Sequence, residues 1–504
     1  MSGIRVTYSG LISLSIRLFS VITGAIFTVI VTRQLTPEEF GTWGLISGLI
    51  VYAVAINPMI NYWVTRELAR GEESGKTAIF SSGSFAIVGV LIYFVVAYFV
   101  GIQSNVDIEI LLFASILIPV MFINDTLTAI NLGKKPHVTS YGFLVFEILK
   151  IPIALVLIYF LNMGLEGAIL ATFVAYIGSI VILGIYSRSY LKSNFEKQYV
   201  IKWLKLFWLP TYRNIPSLLS LSDVVIFSLI TGSVVGVAYY TAVRTIGVLV
   251  NHTRSFSRGL YPKLLESQKQ EFLQENLIRM FYFSFPLIAF SITFAKPGLF
   301  VLNPIYQEAF PIVIFFTIRS FLTTLNKVFF QALQGIEDVD VNKKSTFKDY
   351  IKSKLMWFPT FQLIRHGIYI VTLALMLYVL SSDSKSELEL VLYWVIIGLI
   401  VEIPLSIYII RLVKKSFTIN INWKSFSKYL FSSVIIFGII FVLMEEYLEY
   451  NESIFKFLPI LLIYVFGGVI AYLGITYFID SSTKNLFNSI IKELKNKVKE
   501  KRSN

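Results

Sequence analysis

The chain has 504 residues, of which 56% are hydrophobic and only 15% are charged, and its mean hydropathy is +0.71. A chain with so few polar residues cannot cover a soluble core of this size with polar surface. The composition therefore excludes a soluble globular protein and indicates a chain solvated by lipid. The formal net charge is +13, and the basic residues lie mostly between apolar runs. This placement indicates a marker of membrane topology rather than a nucleic-acid-binding surface.

Apolar runs of about 20 residues, the length that crosses about 30 Å of hydrocarbon, recur from end to end. They extend over residues 10–32, 42–63, 79–101, 108–130, 141–161, 164–187, 206–231, 234–257, 277–302, 308–334, 358–380, 389–412, 427–444 and 455–479. The runs are continuous, whereas a barrel strand alternates polar and apolar residues over about ten positions. The sequence therefore predicts an all-α polytopic membrane protein with about 14 transmembrane helices.

The loops between these runs alternate in charge. With the N-terminus inside, the outside loops contain only Arg33, Lys296, Lys385 and Lys456, six basic residues fall within spans, and the other 34 of the 44 lie inside. Positive charge is retained on the cytoplasmic side of membrane proteins. This pattern predicts a multi-pass protein of the cell (cytoplasmic) membrane with both termini in the cytoplasm.

The basic connector 188–205 separates the first six spans from the next six. We therefore predict a first lobe at 1–187 with helices 1–6, a second lobe at 206–412 with helices 7–12, and an appended helix pair, 13 and 14, at 413–479. The Lys-rich tail 480–504 places apolar residues at helical spacing between lysines. Such a tail is typical of an amphipathic helix on anionic inner-leaflet lipids, whether it regulates the protein or only anchors it.

Metal and thiol chemistry find little support. The chain has no cysteine, and its three histidines, His137, His252 and His366, match no ligand spacing. We expect no metal and no other cofactor.

The two predicted lobes show a weak internal repeat. At an offset of 197, the segment 36–43 (TPEEFGTW) overlies 233–240 (SVVGVAYY), with a hydroxyl residue at the start and an aromatic residue at the end of each. Both segments lie in the outside hairpin that follows the first helix of a lobe. Two lobes that both begin inside and contain an even number of spans make a parallel repeat about the membrane normal.

The segment 32–43 (TRQLTPEEFGTW), followed by 61–70 and by 223–240, resembles the polysaccharide flippase branch of the multidrug/oligosaccharidyl-lipid/polysaccharide exporter superfamily. The resemblance covers the whole chain. It implies two six-helix lobes around a central cavity, with helices 13 and 14 appended, and export of a lipid-linked oligosaccharide by alternating access.

Charged residues within the spans indicate the substrate. The basic ones are Arg17, Lys150, Arg244, Arg319, Lys327 and Arg365, and the acidic ones are Asp125, Glu147, Asp223 and Glu402. Each charge costs about 3 kcal/mol at mid-bilayer on insertion scales, so such residues usually line a polar pathway. The excess of basic residues predicts a cationic cavity for an anionic substrate.

From these residues we select candidate sites. The candidate substrate-binding residues are Arg17, Arg244, Arg319, Lys150, Arg213, Asn61 and Tyr240, and the candidate coupling or gating residues are Asp223, Glu147 and Glu402. Guanidinium groups bind phosphate oxygens bidentately and stay charged at low dielectric, while amides and aromatic rings suit a glycan. Lys327 and Arg365 are near enough to the inner face to snorkel to it.

Two pairs of these residues have an alternative interpretation. Glu147 and Lys150, three residues apart on one helix, either neutralise each other or serve transport. Asp223 and Arg244 fall at similar depth on the two arms of a hairpin whose turn is near Gly232. They form either a pair that opens when substrate arrives or a static structural pair.

The sequence thus predicts a flippase for a phosphate- or pyrophosphate-linked oligosaccharide carrier lipid, acting as a monomer with no nucleic-acid partner. The nearest alternative is a cation-coupled multidrug antiporter of the same superfamily, which commonly carries an acidic residue in helix 1, whereas residues 10–32 contain Arg17 and no acid. A membrane glycosyltransferase or polymerase is a remote alternative, because neither catalytic carboxylates nor a large external loop is evident. We expect no enzymatic activity.

Overall fold

The computed structural model describes residues 22–257, 271–337, 353–381, 385–418 and 423–481, apart from a few side chains, and a few single residues outside these ranges. The regular elements of these ranges are all helices, which confirms the predicted all-α class. Within them, ten helices are long and apolar enough to cross a membrane, and two bent helix pairs raise the number to as many as twelve. The protein is a multi-pass membrane protein.

The chain folds into two compact units. The first unit comprises Met1–Thr241 and Phe361–Trp394. The helices described before Thr241 are α1 Ile22–Gln34, α2 Pro37–Ala53, α3 Asn57–Ala69, α4 Gly75–Gln103, α5 Ile108–Lys134, α6 Val138–Phe160, α7 Gly164–Ser187, α8 Lys197–Lys205, α9 Trp208–Leu219 and α10 Ser222–Thr231. The lobe boundaries drawn from the sequence stay a prediction.

The second unit comprises Ala242–Thr360 and Val395–Asn504. Its described helices are α12 Glu271–Thr293, α13 Ala295–Leu302, α14 Pro304–Gly335, α17 Trp423–Tyr447 and α18 Ile454–Ile479. Three further helices have residues in both units, namely α11 Val235–Gly247, α15 Lys354–Ser381 and α16 Glu387–Ser416.

Several predicted spans are broken rather than straight. The run at 42–63 is divided between α2 and α3, which meet at a bend of 58°. Pro58 lies in the first turn of α3. Proline has no amide hydrogen to bond the carbonyl four residues earlier and its ring clashes with that carbonyl, so a continuous helix through residue 54 is disfavoured. The run at 277–302 is likewise divided at Phe294, and the run at 234–257 changes from α11 to a 3-10 helix at Leu249–Ser257.

The two segments of the predicted repeat lie against each other in the first unit. Thr36 caps α2 in a capping box with Glu39, whose carboxylate accepts from the Thr36 amide at 2.9 Å. Ser233 Oγ accepts from the Val235 amide at the start of α11 at 3.2 Å. An added Cβ on Gly41 would overlap the carbonyl oxygen of Val234. The two helix starts therefore approach closely because residue 41 has no side chain.

The connector predicted at 188–205 contains α8, which packs against α3 within the first unit. Trp203 is 1% exposed and joins a core cluster with Ile60 and Val64 of α3. Its indole Nε1 donates to both carboxylate oxygens of the buried Glu67 at 3.2 Å, and Lys202 Nζ lies 3.0 Å from Glu67 Oε1. The connector is therefore held to α3 by burial and by a charged hydrogen bond.

Large apolar side chains are exposed along the spans. Phe455 and Phe478 of α18 are 87% and 85% exposed, and Phe160 of α6 is 70% exposed. Soluble monomers rarely expose contiguous apolar surface of this extent. These surfaces indicate that lipid is the solvent of the helices.

Candidate functional site

Asp223 is the acceptor of a buried polar network in the first unit. Its Oδ2 accepts hydrogen bonds from the hydroxyls of Tyr369 at 2.9 Å and Tyr240 at 3.2 Å, and Tyr369 Oη accepts from Trp394 Nε1 at 2.8 Å. The Tyr240 ring stacks on the Trp394 indole with 3.8 Å between centroids. All four residues are at most 4% exposed. The network joins α10, α11, α15 and the first turns of α16.

This network defines what Asp223 and Tyr240 do in the present state. A buried carboxylate is costly unless donors satisfy its oxygens. Here two phenol hydroxyls donate to Oδ2, and the Val224 amide donates to Oδ1 at 3.0 Å. Trp394 covers the Tyr240 ring, so the predicted contact of Tyr240 with a substrate requires a rearrangement. The predicted pair of Asp223 with Arg244 concerns residues of two different units and stays a prediction.

Glu147 and Lys150 form a buried ion pair on α6. Lys150 Nζ lies 3.2 Å from Glu147 Oε2, which also accepts from the hydroxyl of Thr23 on α1 at 2.8 Å. The ammonium lies 4.8 Å from the ring centroid of Phe27 and 5.0 Å from that of Phe146. The charge of Lys150 is therefore compensated within the first unit by a carboxylate and two ring faces. In this state Glu147 and Lys150 neutralise each other, which is the first of the two interpretations given above.

Asn61 and Asp125 occupy a second polar region of the first unit. Asp125 Oδ2 accepts from Asn57 Nδ2 at 3.2 Å, and Asn61 Oδ1 accepts from Thr126 Oγ1 at 3.1 Å. Asn61 is half-buried, and its amide nitrogen is a donor of the kind that a sugar hydroxyl accepts. Its role in substrate binding stays a prediction.

Glu402 is held between two helices of the second unit. Its Oε1 accepts from Asn326 Nδ2 of α14 at 2.7 Å, and the same nitrogen donates to Ser406 Oγ at 2.8 Å. Glu402, Asn326 and Ser406 are at most 3% exposed. The carboxylate therefore joins α14 to α16. A gating role of Glu402, which stays a prediction, requires that this contact change.

The two candidate arginines of the second unit are less buried than these carboxylates. Arg244, in the last turn of α11, is exposed, and Arg319 of α14 is half-buried. The guanidinium of Arg319 lies against the backbone of α16 at Gly398. Nη1 of Arg319 is buried. Arg244 has an exposed side chain, and an exposed guanidinium within a membrane span is costly in hydrocarbon, so Arg244 faces water or a polar ligand.

Two candidate residues cannot be placed with their side chains. Arg17 lies outside the described residues, and Arg213 belongs to α9 while its side chain lies outside the described part. Their assignment as substrate-binding residues stays a prediction.

The comparisons with known proteins give the fold. No family model matches the sequence, and no curated protein matches it. A solved structure of the lipid II flippase MurJ in an inward closed conformation matches with a TM-score of 0.63 at 15% identity, over 93% of this chain and 98% of that chain. An inward-facing multidrug resistance MATE family transporter of the MOP superfamily matches with a TM-score of 0.56 at 14% identity, over 81% and 98%. The chain therefore shares the fold of these two solved structures.

Proposed function

We propose that the chain is a flippase that moves a phosphate- or pyrophosphate-linked oligosaccharide carrier lipid from the inner to the outer leaflet of the cytoplasmic membrane. It acts by alternating access, without enzymatic chemistry, and supplies the assembly of cell-surface polysaccharide or glycoprotein. The MurJ structure of similar fold is that of a lipid II flippase, which supports this class of substrate.

The observation that carries the proposal is the excess of basic charge within the spans. Each of the four intramembrane carboxylates accepts a hydrogen bond from a nearby side chain. Asp125 accepts from Asn57, Glu147 from Lys150, Asp223 from two tyrosines, and Glu402 from Asn326. Arg244, in the last turn of α11, is exposed. A phosphate oxygen is the ligand that a guanidinium fork binds best.

The transport cycle follows from the chemistry of such a substrate. The head group follows a polar path through the protein. The polyprenyl tail stays in the bilayer, so the tail needs no such path. Moving two negative charges outward across an inside-negative potential of about 100 mV releases about 4.6 kcal/mol. The membrane potential alone therefore favours export, and ion coupling is optional.

The second candidate function is a cation-coupled multidrug antiporter. The similar MATE structure supports this alternative, and the absence of any acidic residue at 10–32 disfavours it. A cationic drug would also meet the arginines of the spans, and like charges repel at low dielectric.

The partners of the flippase follow from its surface. A groove of about 880 Å³ in the second unit is lined by apolar residues of α17 and α18, with Lys424 and Lys428 also lining it. Lys428 is paired with Asp480 at 3.7 Å. The exposed Lys424 beside the apolar groove suits the phosphate and acyl chain of an anionic inner-leaflet lipid. We propose that the protein works as a monomer with anionic inner-leaflet lipids and a lipid-linked oligosaccharide, and not with nucleic acid.

The test of the proposal is deletion of the gene in its own host. A flippase deletion should remove one surface glycan and accumulate its lipid-linked precursor, and the intact gene should restore both. Expression of Arg319→Ala at equal abundance should restore neither. Unchanged glycans together with raised sensitivity to cationic drugs would instead support the antiporter.

A further inference from the structure

The guanidinium of Arg319 on α14 lies against the backbone of α16 at Gly398. A Cβ built on Gly398 would overlap Cζ and Nη1 of Arg319 and would lie 2.6 Å from Nε. Three atoms of one guanidinium therefore crowd a single point of the α16 backbone. The group occupies this position because residue 398 has no side chain. Both residues belong to the second unit.

Other glycines of the same unit have a different surrounding. At Gly247 the added Cβ would meet Phe316, and at Gly468 it would meet Ile440 and Phe437. Those contacts are apolar, as expected where small residues let transmembrane helices pack closely. At Gly398 the three nearest atoms all belong to a charged group, so the space admits a guanidinium rather than a neighbouring apolar side chain.

The two helices are held in register at this level by a separate contact. Asn326 is two turns after Arg319 on α14, and Glu402 is one turn after Gly398 on α16. Their side chains form the hydrogen bond of 2.7 Å already described. The two helices are therefore also joined by a contact that does not involve residue 398. The missing side chain at Gly398 leaves the space in which the guanidinium lies.

We propose that Gly398 is a positioning residue that holds the Arg319 guanidinium at the place where the substrate phosphate binds. This inference rests on the proposed function of Arg319 as an anion-binding residue. A methyl group at position 398 displaces the guanidinium by about 1 Å or more to reach ordinary van der Waals contact. A shift of this size in a binding group costs up to about a hundredfold in activity.

The substitution Gly398→Ala is a clean test because the displaced group is the flexible end of an arginine. Alanine also favours a helix over glycine, so the variant should fold. The matched control is Gly438→Ala on α17, where nothing lies within 4 Å of the added Cβ. Both variants of the full chain are purified, and their abundance and thermal unfolding are compared with those of the wild type.

The measurement is the Kd of farnesyl pyrophosphate, a short polyprenyl pyrophosphate, with farnesol as the neutral probe. We expect Gly398→Ala to weaken pyrophosphate binding about tenfold or more, with no change for farnesol and no change in Gly438→Ala. Arg319→Ala should weaken binding as well, and Gly398→Ala should add nothing in that background. In an Arg319→Lys background it should also have no effect, because lysine carries no planar fork to displace.

The outcomes separate this inference from the proposed function. If Arg319→Ala weakens binding and Gly398→Ala does not, the role of Gly398 is wrong and the anion site stands. Additive losses in the double variant would show that Gly398 acts through packing, which also overturns the inference. Wild-type binding by Arg319→Ala would contradict the anion site itself and the role of Gly398 with it.

Discussion

Tyr369 serves two hydrogen bonds at once in the buried network of the first unit. Its hydroxyl donates to Asp223 and accepts from Trp394 Nε1. Tyr369→Phe leaves the indole donor without its acceptor and removes one of two phenol donors from a buried carboxylate. Each unsatisfied buried group costs about 1–3 kcal/mol. We therefore expect a clearly lower unfolding temperature for this variant in detergent.

The control for this prediction lies on the same helix. Tyr378 of α15 is 74% exposed, so Tyr378→Phe removes a hydroxyl without breaking a buried network. Its unfolding temperature should equal that of the wild type. If the two variants unfold at the same temperature, Tyr369 does not stabilise the fold through its hydroxyl.

The residues of this network show where sequence reasoning stopped. Asp223 was selectable because a charge within an apolar run is visible in any sequence. Tyr369 and Trp394 are neutral, and most tyrosines and tryptophans of membrane helices are packing or interfacial residues. Asn326, which binds Glu402 in the second unit, is neutral as well. Gly398 gave no signal either, since its importance depends on which side chain of another helix points at it. The roles of these residues depend on which side chains of other helices lie beside them, and a local sequence pattern does not show this.

The start of α2 approaches the start of α11 through Gly41. In Gly41→Ala the new methyl group overlaps the carbonyl oxygen of Val234, and backbone cannot yield as a side-chain tip does. Overpacking of this kind costs typically about 1–3 kcal/mol. We expect a lower unfolding temperature, measured beside Gly83→Ala, whose Cβ has nothing within 4 Å. Equal stability of the two variants would contradict the close contact of the two segments.

Asp480, directly after α18, ties the ends of α17 and α18 together. Its carboxylate accepts from Tyr429 at 2.7 Å, from Ser425 at 2.9 Å and from the Thr483 amide at 3.0 Å. Burial alone would raise the pKa of Asp480, but these hydrogen bonds outweigh it and hold the pKa below its ordinary value. A lowered pKa means that the carboxylate stabilises the fold above about pH 4 and loses this effect as the pH falls through its folded value.

The corresponding prediction concerns Asp480→Asn. At pH 7 the variant should unfold at a lower temperature than the wild type, and the difference should shrink below about pH 4. Glu446→Gln, at an exposed position of α17, provides the control and should match the wild type throughout. A difference between Asp480→Asn and the wild type that is independent of pH would contradict a role for the ionised carboxylate.

At the scale of the helices, hydropathy located the spans well because their length is dictated by the bilayer. The predicted run at 164–187 coincides with α7, and that at 455–479 with α18 to within one residue. The bend at residues 54–56 and the helical connector α8 were missed. Hydropathy does not report a break within an apolar run. Whether the short basic amphipathic segment of α8 forms a helix depends on the core cluster against which Trp203 packs.

Across the whole molecule, the alternation of charge predicts which loops face the cytoplasm. The chain has no cysteine, so single cysteines can be introduced without background. Lys385→Cys and Asn451→Cys should react with an impermeant thiol reagent in intact cells, because both lie in predicted outside loops. Lys197→Cys and Lys348→Cys, the latter outside the described residues, should react only after the cells are opened. Labelling of Lys197→Cys in intact cells would contradict the helix count.

We propose that cationic groups within the membrane bind an anionic lipid head group as it crosses. The most direct measurement is the flipping rate of a fluorescent polyprenyl-pyrophosphate disaccharide in vesicles that contain the purified protein, beside a polyprenyl disaccharide without the pyrophosphate. We expect the wild type to flip the charged lipid, Arg17→Ala and Arg319→Ala to lose this activity at normal abundance, and the neutral lipid to flip no faster than in protein-free vesicles. Equal rates for both lipids, or full activity in both arginine variants, would contradict the account.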